Sequence, residues 1–211
     1  MIASAQTIRR RCDPVNGPPM IHPFNERTVA HGLTFGLSPA GYDVRVAENL
    51  ELRPGEFLLA STIESFHMPM DLLGVVHDKS TWARMGICVQ NTVIEPGWVG
   101  KALTLEVTNH SPRRVFIPAG SPIAQVVFHI LDEPTVQPYA GRYQFAPKGA
   151  SPAAFSKTGG GPVLVDDFGD MRDIAGAHVP PAIEAELDKL DPPQEHSGIC
   201  ESEPFDSGQT G

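Results

Sequence analysis

Ser80 and Arg84 lie four positions apart in the segment DKSTWARMGI, residues 78–87. If this segment is helical, the two side chains share one face near the helix N-terminus. Free backbone N–H groups and the helix dipole favour an anion at that end of a helix. The pair therefore predicts a site for a phosphate group.

Glu106 is the single acidic residue in the apolar run 102–107. In a β-strand its side chain alternates with those of Leu105 and Val107, so it is able to point into a pocket. Burial would disfavour the ionised carboxylate and raise its pKa, which makes Glu106 a candidate general acid or base near neutral pH. The alternative is an exposed glutamate on an edge strand, because acids are rarely buried.

The elements that must position these residues are short. The chain has 211 residues, 41% of them hydrophobic, and its 21 prolines and 20 glycines separate short apolar runs. This pattern is typical of many short strands joined by turns, so we expect an all-β core. A short helix is predicted within residues 2–12 and a helical turn at residues 80–85. Strands are predicted near residues 87–89, 102–109, 114–117 and 123–130, and the last, nearly all apolar, suits the centre of a barrel or a subunit contact.

The acidic excess lies at the C-terminus. Residues 156–211 hold 12 Asp and Glu against 3 Lys and Arg, whereas residues 1–155 hold 13 of each. A neutral body argues against nucleic-acid binding, because phosphate backbones recruit a basic surface. We expect residues 1–155 to form one domain and residues 156–211, with a helical candidate at 182–190, to be a disordered or loosely docked acidic tail. The alternative for the tail is a second folded domain.

Cysteine usage and hydropathy indicate the compartment. Cys12, Cys88 and Cys200 form no CxxC pair and are odd in number, so neither a disulfide framework nor a cysteine-rich zinc site is expected. No apolar run approaches the roughly 20 residues of a membrane span, and the N-terminus has no apolar signal region. We expect a soluble, cytoplasmic protein that does not bind membranes.

Five segments stand in an order and spacing that resemble the dCTP deaminase family, a branch of the dCTP deaminase and dUTPase superfamily. The resemblance implies a distorted jelly-roll or β-barrel fold of the dUTPase-like type and a homotrimer with active sites between subunits. It also implies hydrolytic deamination of dCTP, or of a related pyrimidine deoxynucleotide, to the uracil nucleotide and ammonia. The segments are GLSPAGYDVRV (36–46), RPGEFLLASTIESFHMP (53–69), DKSTWARMGI (78–87), IEPGWVGKALTLEVTN (94–109) and PAGSPIAQVVF (118–128).

The resemblance assigns three catalytic residues. Glu106 corresponds to the glutamate that takes a proton from water, delivers one to cytosine N3 and helps the amino group leave. Ser80 corresponds to the serine that helps place the water, and Arg84 to the arginine that stabilises the site and nearby phosphate oxygens. Lys79 and Thr81 resemble triphosphate contacts. Lys79 would bind phosphate less firmly than Arg84, because lysine acts as a point charge whereas arginine can bind two phosphate oxygens at once.

Further residues are implied to bind the substrate. Thr92 matches the lining of the base pocket, and Glu95 matches the acid against the deoxyribose 3′-hydroxyl. Tyr139 and Tyr143 fit a closing segment that covers the phosphates, and Arg142 replaces a lysine of that segment. Asp43 with Arg45 is expected to form a structural or inter-subunit ion pair.

The resemblance implies no protein-bound cofactor. Zinc cytidine deaminases need H-x-E with a downstream P-C-x-x-C, and neither motif is present. The histidines have no ligand spacing. Mg²⁺ is expected to arrive with the nucleotide's phosphates, which need few protein ligands to hold it.

Two positions depart from the family pattern. Asp78 replaces a glycine; it either caps the helix that follows or faces the ligand, where it would weaken triphosphate binding. Ala146 stands where the closing segment carries a glutamine, and Gln144 or Lys148 would substitute after a local shift.

Two other functions stay open at this stage. One is a bifunctional deaminase–dUTPase or a dUTP diphosphatase that yields dUMP, although Glu95 replaces the aspartate common in those enzymes. The other is a catalytically weak relative that binds nucleotides or a protein partner, which Asp78 and Ala146 motivate.

Overall fold

Alternating apolar residues and frequent turn residues divide the chain into short elements. The structure, a computed structural model, describes residues 1–154 and the backbone of residues 164–165 and 171–172. The chain divides into two compact units, Met1–Ala153 and Ala154–Gly211. The helices are α1 (Ala5–Cys12) and α2 (Ser80–Ala83), with a 3-10 turn at Pro14–Asn16. The strands are β1 (Ile21–His22), β2 (Thr28–Ala30), β3 (Leu33–Ser38), β4 (Gly41–Arg45), β5 (Leu50–Leu52), β6 (Phe57–Ser61), β7 (Ser65–His67), β8 (Leu72–Asp78), β9 (Ile87–Val89), β10 (Val93–Ile94), β11 (Val99–Gly100), β12 (Thr104–Asn109), β13 (Val115–Ile117), β14 (Pro122–Ile130), β15 (Leu164–Val165) and β16 (Met171–Arg172).

The largest sheet is centred on β14. Its six strands follow the order β10-β8-β14-β4-β3-β2, and β14 is antiparallel to both of its neighbours. Val126 and Phe128 of β14 are fully buried, as a nearly all-apolar strand paired on both edges should be. The run predicted for a central position therefore lies at the centre of a sheet.

A second sheet carries Glu106. Its three strands follow the order β6-β12-β9, so β12 is paired on both edges and Glu106 is not on an edge strand. Leu105, Val107 and Asn109 of β12 are buried, while Thr104 and Glu106 are half-buried on the opposite face. Burial thus follows the two-residue period of a strand. Two smaller sheets, β1-β7-β11 and β13-β5, complete the main unit.

Helix α1 packs by one face. Ile8 and Cys12, at i and i+4, are its buried residues, and burial raises the pKa of the Cys12 thiol to about 11. Arg9, Arg10 and Arg11 occupy the last turn, where positive charge suits the helix dipole.

The all-β prediction is confirmed, and so are the N-terminal helix and the strands predicted from residue 87 onward, with small shifts of their ends. The helical turn predicted at residues 80–85 is shorter, four residues in α2. The predictions for residues 156–211, including the helical candidate at 182–190, lie outside the described residues, apart from the antiparallel backbone pair of β15 with β16. Among the described residues, no helix is long and apolar enough to cross a membrane.

Candidate functional site

Glu106 presents a carboxylate that is partly withdrawn from water. Its Oε2 atom is buried and has no hydrogen-bond partner among the residues that the structure describes. Burial raises the pKa of the carboxyl group, and a hydrogen bond with its own backbone lowers it by less. A carboxyl group with a raised pKa and an oxygen that is not already hydrogen-bonded suits acid–base chemistry near neutral pH.

The carboxylate lines a pocket of about 380 Å³. Its walls come from β12, from the loop that follows β9, from β6 and from the segment after residue 138. Four predicted site residues, Thr92, Glu95, Glu106 and Tyr139, lie together in this pocket. The other lining residues are Phe57, Leu59, Val93, Ile94, Trp98, Ala102, Leu103, Thr104, Tyr143, Ala146, Ser151 and Ala153.

The E-P-G-W turn shapes one side of the pocket. The Trp98 backbone N–H donates to the Glu95 carbonyl at 3.1 Å, and Gly97 has a φ of +78°, a conformation that glycine adopts without steric cost. A Cβ at Gly97 would lie 2.6 Å from the Pro138 Cβ atom. The turn therefore needs glycine both for its backbone and for the close approach of the following segment.

The segment of residues 139–146, which we call the closing segment, is docked on this turn. The Trp98 indole Nε1–H donates to the Tyr143 carbonyl at 2.8 Å. The Gln144 side-chain amide donates to the Gly97 carbonyl at 2.9 Å and accepts from the Val99 N–H at 2.8 Å. Gln144 is thus occupied by main-chain contacts and does not take the role of the glutamine that Ala146 replaces.

Ala146 itself belongs to the pocket wall. It is buried, and its carbonyl accepts a hydrogen bond from the Lys101 N–H at 2.8 Å. Beyond it, the Ser151 N–H donates to the Thr104 hydroxyl oxygen at 2.9 Å. Lys148 is exposed and is not among the lining residues. Neither candidate for the missing polar contact is therefore placed in the pocket.

The residues predicted to hold phosphate stand elsewhere. Ser80, Thr81 and Arg84 are exposed on or beside α2, and none of them lines the pocket of Glu106. Arg142 is also exposed and outside the lining residues. One chain therefore does not bring the predicted phosphate residues and the predicted base pocket together.

Lys79 is held by a carboxylate. Its Nζ atom lies 2.7 Å from Oδ2 of Asp43, and both side chains are nearly buried. Arg45 pairs instead with the fully buried Glu64, with 2.8 Å between Nε and Oε1. The predicted structural pair of Asp43 with Arg45 does not form within the chain, because each of the two side chains pairs with a residue from another part of the sequence. The inter-subunit alternative stays a prediction.

Asp78 does not cap α2. The helix begins after Lys79, and no side chain of the described residues caps it. The Asp78 Oδ1 atom accepts a hydrogen bond from the Val89 N–H at 2.6 Å, and Oδ2 lies 3.7 Å from the Cys88 thiol. The N-cap role proposed for Asp78 is therefore wrong.

Sequence reasoning missed several lining residues. Thr104 carried a usable signal, because a residue two positions from Glu106 on a strand shares its face. Phe57 and Leu59 carried none, since their place depends on the pairing of β6 with β12, where Leu59 stands opposite Glu106. Within residues 1–154 there is no group of three or more His, Cys, Asp or Glu that could hold a metal ion.

Comparison with known sequences points to one family. A family model described as dCTP deaminase-like matches residues 41–131, which include Lys79, Ser80, Arg84 and Glu106. A dCTP deaminase of Acidobacterium capsulatum is 35% identical over 158 residues, which cover 59% of this chain and 86% of that protein. A dCTP deaminase of Campylobacter fetus is 37% identical over 158 residues, covering 59% of this chain and 84% of that protein.

Solved structures of dUTPases are more distant. The enzyme from EIAV has a TM-score of 0.44 and 18% identity, and the match covers 58% of this chain and 98% of that one. A dUTPase mutant from phage phi11 of S. aureus has a TM-score of 0.43 and 17% identity, covering 57% of this chain and 92% of that one. The assignment therefore depends on the sequence relatives. Since relatives above 30% identity are covered over most of their length, the chain belongs to the dCTP deaminase family of hydrolases.

Proposed function

We propose that this chain deaminates dCTP to dUTP and ammonia, with Glu106 as the proton-transfer residue. The observation that carries the proposal is the half-buried carboxylate with an unpartnered oxygen inside a mostly apolar pocket. The names of the sequence relatives agree with this reaction. Mostly apolar surroundings strengthen the interaction of a carboxylate with developing charge.

The reaction requires one water molecule, whose two protons go to cytosine N3 and to the leaving amino group. Glu106 would take a proton from water as the oxygen attacks cytosine C4, and it would deliver that proton to N3. Glu106 would then pass a second proton, taken from the new C4 hydroxyl, to the amino group. Ammonia leaves, and C4 becomes the carbonyl carbon of uracil. The same carboxyl group acts as base and then as acid, which a raised pKa favours.

A second copy of the chain would complete the site. Ser80, Thr81 and Arg84 are exposed and away from the pocket of their own chain, so they are available to a neighbouring pocket. We propose a homotrimer in which each site combines Glu106, Thr92 and Glu95 of one chain with Ser80 and Arg84 of the next. Cyclic homo-oligomers repeat one such contact at every interface.

Binding of the nucleotide's phosphates would depend mainly on Arg84. A guanidinium can bind two phosphate oxygens at once, whereas Lys79 would have to exchange Asp43 for the ligand. The nucleotide's phosphates would carry magnesium with them. Thr81 and Arg142 complete the proposed phosphate contacts, and Tyr139 the proposed pocket wall.

The first experiment compares the intact protein with Glu106→Gln and with Glu133→Gln, which removes an exposed carboxylate outside the pocket. Each protein is incubated with magnesium and with dCTP, dCMP, dUTP or 5-methyl-dCTP, and products are resolved by chromatography alongside an ammonia assay. We expect the intact protein and Glu133→Gln to convert dCTP to dUTP, and Glu106→Gln to bind dCTP without turnover.

Other products would identify the other functions. Formation of dUMP would indicate the bifunctional or dUTP-hydrolysing alternative. Tight nucleotide binding without any product in the intact protein would indicate a binding or regulatory role. Retained turnover in Glu106→Gln would refute the role assigned to Glu106.

A mixing experiment tests the shared site. Glu106→Gln and Arg84→Ala are each expected to be inactive alone. If the site combines two chains, a co-assembled equal mixture should regain about a quarter of the intact activity, because that fraction of interfaces pairs an intact Glu106 with an intact Arg84. A mixture that stays inactive would contradict the two-chain site while leaving the role of Glu106 open to the first assay.

A further inference from the structure

Residues 79–86, which we call the phosphate turn, carry Ser80, Thr81 and Arg84 between β8 and β9. The turn contains little regular structure that could hold its shape. Two helical hydrogen bonds of 3.1 Å, from the Ala83 and Arg84 N–H groups to the Lys79 and Ser80 carbonyls, are those of a single α-helical turn. Such a short helix is marginal without tertiary contacts, so the position of Ser80 and Arg84 depends on the contacts that anchor the turn.

Two of these contacts tie the turn to the six-stranded sheet. Lys79 pairs with Asp43 on β4. The buried Trp82 indole donates a hydrogen bond of 2.6 Å to the Pro122 carbonyl at the start of β14. Both contacts orient the turn relative to β4 and β14, but neither reaches the sheet that contains Glu106.

The Asp78 carboxylate reaches that other sheet. Asp78 is the last residue of β8, and its Oδ1 atom accepts the Val89 N–H of β9 at 2.6 Å. β9 pairs with β12, with Val89 opposite Val107. The adjacent Gln90 N–H donates to the Glu106 carbonyl at 2.8 Å. The carboxylate at the start of the phosphate turn is therefore linked through β9 to the strand position of Glu106.

The far end of the turn has its own link to the same strand. The Gly86 carbonyl accepts a hydrogen bond of 2.8 Å from the His110 N–H, just after β12. A Cβ at Gly86 would lie 2.9 Å from the Ser111 Cβ atom, so this end approaches closely. Asp78 supplies the corresponding link at the entrance of the turn, and it does so through a side chain that a single substitution can remove.

We propose that Asp78 is a positioning residue for the deamination: it fixes the phosphate turn against β9 of its own chain, and thereby sets where Ser80 and Arg84 stand when they reach the pocket of the next chain. The inference rests on the proposed function, because it assigns Asp78 an effect on that reaction. It differs from the expectation that Asp78 repels a triphosphate. In the positioning role the hydrogen-bond acceptor matters, whereas in the repulsion role the negative charge matters.

Three substitutions separate the acceptor from the charge. Asp78→Asn keeps an oxygen acceptor for the Val89 N–H and removes the charge. Asp78→Glu keeps the charge and displaces the acceptor by one methylene. Asp78→Ala removes both. Cys88→Ala is the matched control, because it deletes the thiol contact to Oδ2 and leaves the Val89 hydrogen bond in place.

The experiment measures kcat and KM for dCTP in the full chain of each variant, with hydrogen exchange at the Val89 amide. We expect Asp78→Ala and Asp78→Glu to lose about tenfold in kcat with KM changed by less than about twofold, since a small misplacement of positioning groups is costly to the chemical step. Exchange at Val89 should accelerate in both. Asp78→Asn and Cys88→Ala should stay within about twofold of the intact protein.

Two results would overturn the inference. One is an unchanged kcat in Asp78→Ala and Asp78→Glu. The other is a lower KM for dCTP in both Asp78→Asn and Asp78→Ala with Asp78→Glu unchanged, which would assign the carboxylate a repulsive effect. If Asp78→Ala does not fold, Asp78→Glu and Asp78→Asn still distinguish the positioning role from the repulsive effect. Absence of ammonia release by the intact protein would instead refute the proposed function. That result comes from the intact protein alone, so it is distinguished from a failure of the inference about Asp78.

Discussion

Glu106 combines two properties that rarely occur together at a single residue, partial burial and an unpartnered carboxylate oxygen. A structural acid in this position would be expected to have a cation or a backbone N–H as a partner, because unpaired buried polar groups are costly. Glu64 illustrates that case, since Arg45 donates to both of its oxygens. The contrast between the two acids supports a chemical role for Glu106.

The raised pKa of Glu106 predicts a pH-dependent cost to stability. A carboxyl group with a higher pKa in the folded state binds its proton more tightly there. The stability of the folded state therefore falls as the pH rises from 4.5, the ordinary pKa of a glutamate, through the raised pKa of Glu106,. Glu106→Gln cannot ionise. We therefore expect it to raise Tm by a few degrees at pH 7–8, measured by differential scanning fluorimetry.

At pH 4 the difference in Tm between Glu106→Gln and the intact protein should largely disappear, because both side chains are then neutral. Glu133→Gln serves as the control and should show no such pH-dependent gain. A lower Tm for Glu106→Gln at pH 8 would contradict the assignment of a destabilising buried charge.

The buried pair of Arg45 and Glu64 predicts a large loss on truncation. Glu64 is fully buried and Arg45 is 17% exposed, so Glu64→Ala leaves an uncompensated charge inside the protein. The expected cost is about 3–5 kcal/mol in the free energy of unfolding, measured by urea denaturation.

An exposed pair of the same chemistry provides the comparison. Glu51 pairs with Arg114, and their side chains are 50% and 63% exposed. Glu51→Ala should cost about 0–1 kcal/mol, as exposed ion pairs usually do. Equal losses in the free energy of unfolding of the two variants would show that burial does not determine how much these ion pairs contribute to stability.

At the scale of elements, the site depends on contacts between segments that are irregular on their own. The E-P-G-W turn, β12 and the closing segment meet around one pocket, and main-chain hydrogen bonds join them. The Phe145 N–H donates to the Val99 carbonyl at 2.7 Å and the Tyr139 N–H to the Pro96 carbonyl at 2.9 Å. The closing segment is therefore part of the pocket wall in this structure.

Gln144 is the side chain that binds the closing segment most directly to the turn. Its amide contacts Gly97, Val99 and Tyr139. Gln144→Ala should expose residues 139–146 to proteolysis and raise KM for dCTP several-fold, because the wall of the pocket opens. Limited proteolysis with mass spectrometry, together with steady-state kinetics, tests this expectation.

Gln137→Ala is the matched control, since the hydrogen bonds between Gln137 and Thr135 use main-chain atoms of Gln137. It should leave both the cleavage pattern and KM unchanged. If Gln144→Ala behaves like Gln137→Ala, the closing segment is held by its main-chain contacts alone.

At the scale of the whole molecule, the chain separates into a neutral unit with the pocket and an acidic remainder. Met1–Ala153 contains every predicted site residue. The formal charge of −9 comes from residues 156–211, where acidic residues exceed basic ones by 12 to 3. The assignment of these residues to a disordered or docked tail stays a prediction.

Deletion of residues 156–211 is expected to leave the fold and the Tm of the main unit within a few degrees, because the described core lies entirely before residue 154. Circular dichroism and thermal unfolding of the shortened chain check this. The elution volume on size-exclusion chromatography tests whether assembly survives. Loss of the folded state would show that the acidic segment contributes to the core.

Local patterns in the sequence were sufficient for the all-β fold class and for the strand that carries Glu106. The two-residue period around Glu106 predicted its strand, because the faces of a strand depend on residues that are adjacent in the sequence. The family resemblance, rather than a local pattern, suggested Thr92, Glu95 and Tyr139 as site residues, and in the structure they line one pocket with Glu106. The catalytic roles of these residues remain predictions for the assays above.

Long-range pairing was decided only by the tertiary structure. Lys79 meets Asp43 across 36 positions and Arg45 meets Glu64 across 19, and no local period indicates either pair. The same applies to the separation of the phosphate turn from the pocket of Glu106 within one chain. Sheet order brings distant residues together and keeps others apart, because strand pairing depends on the burial of whole faces rather than on neighbouring letters.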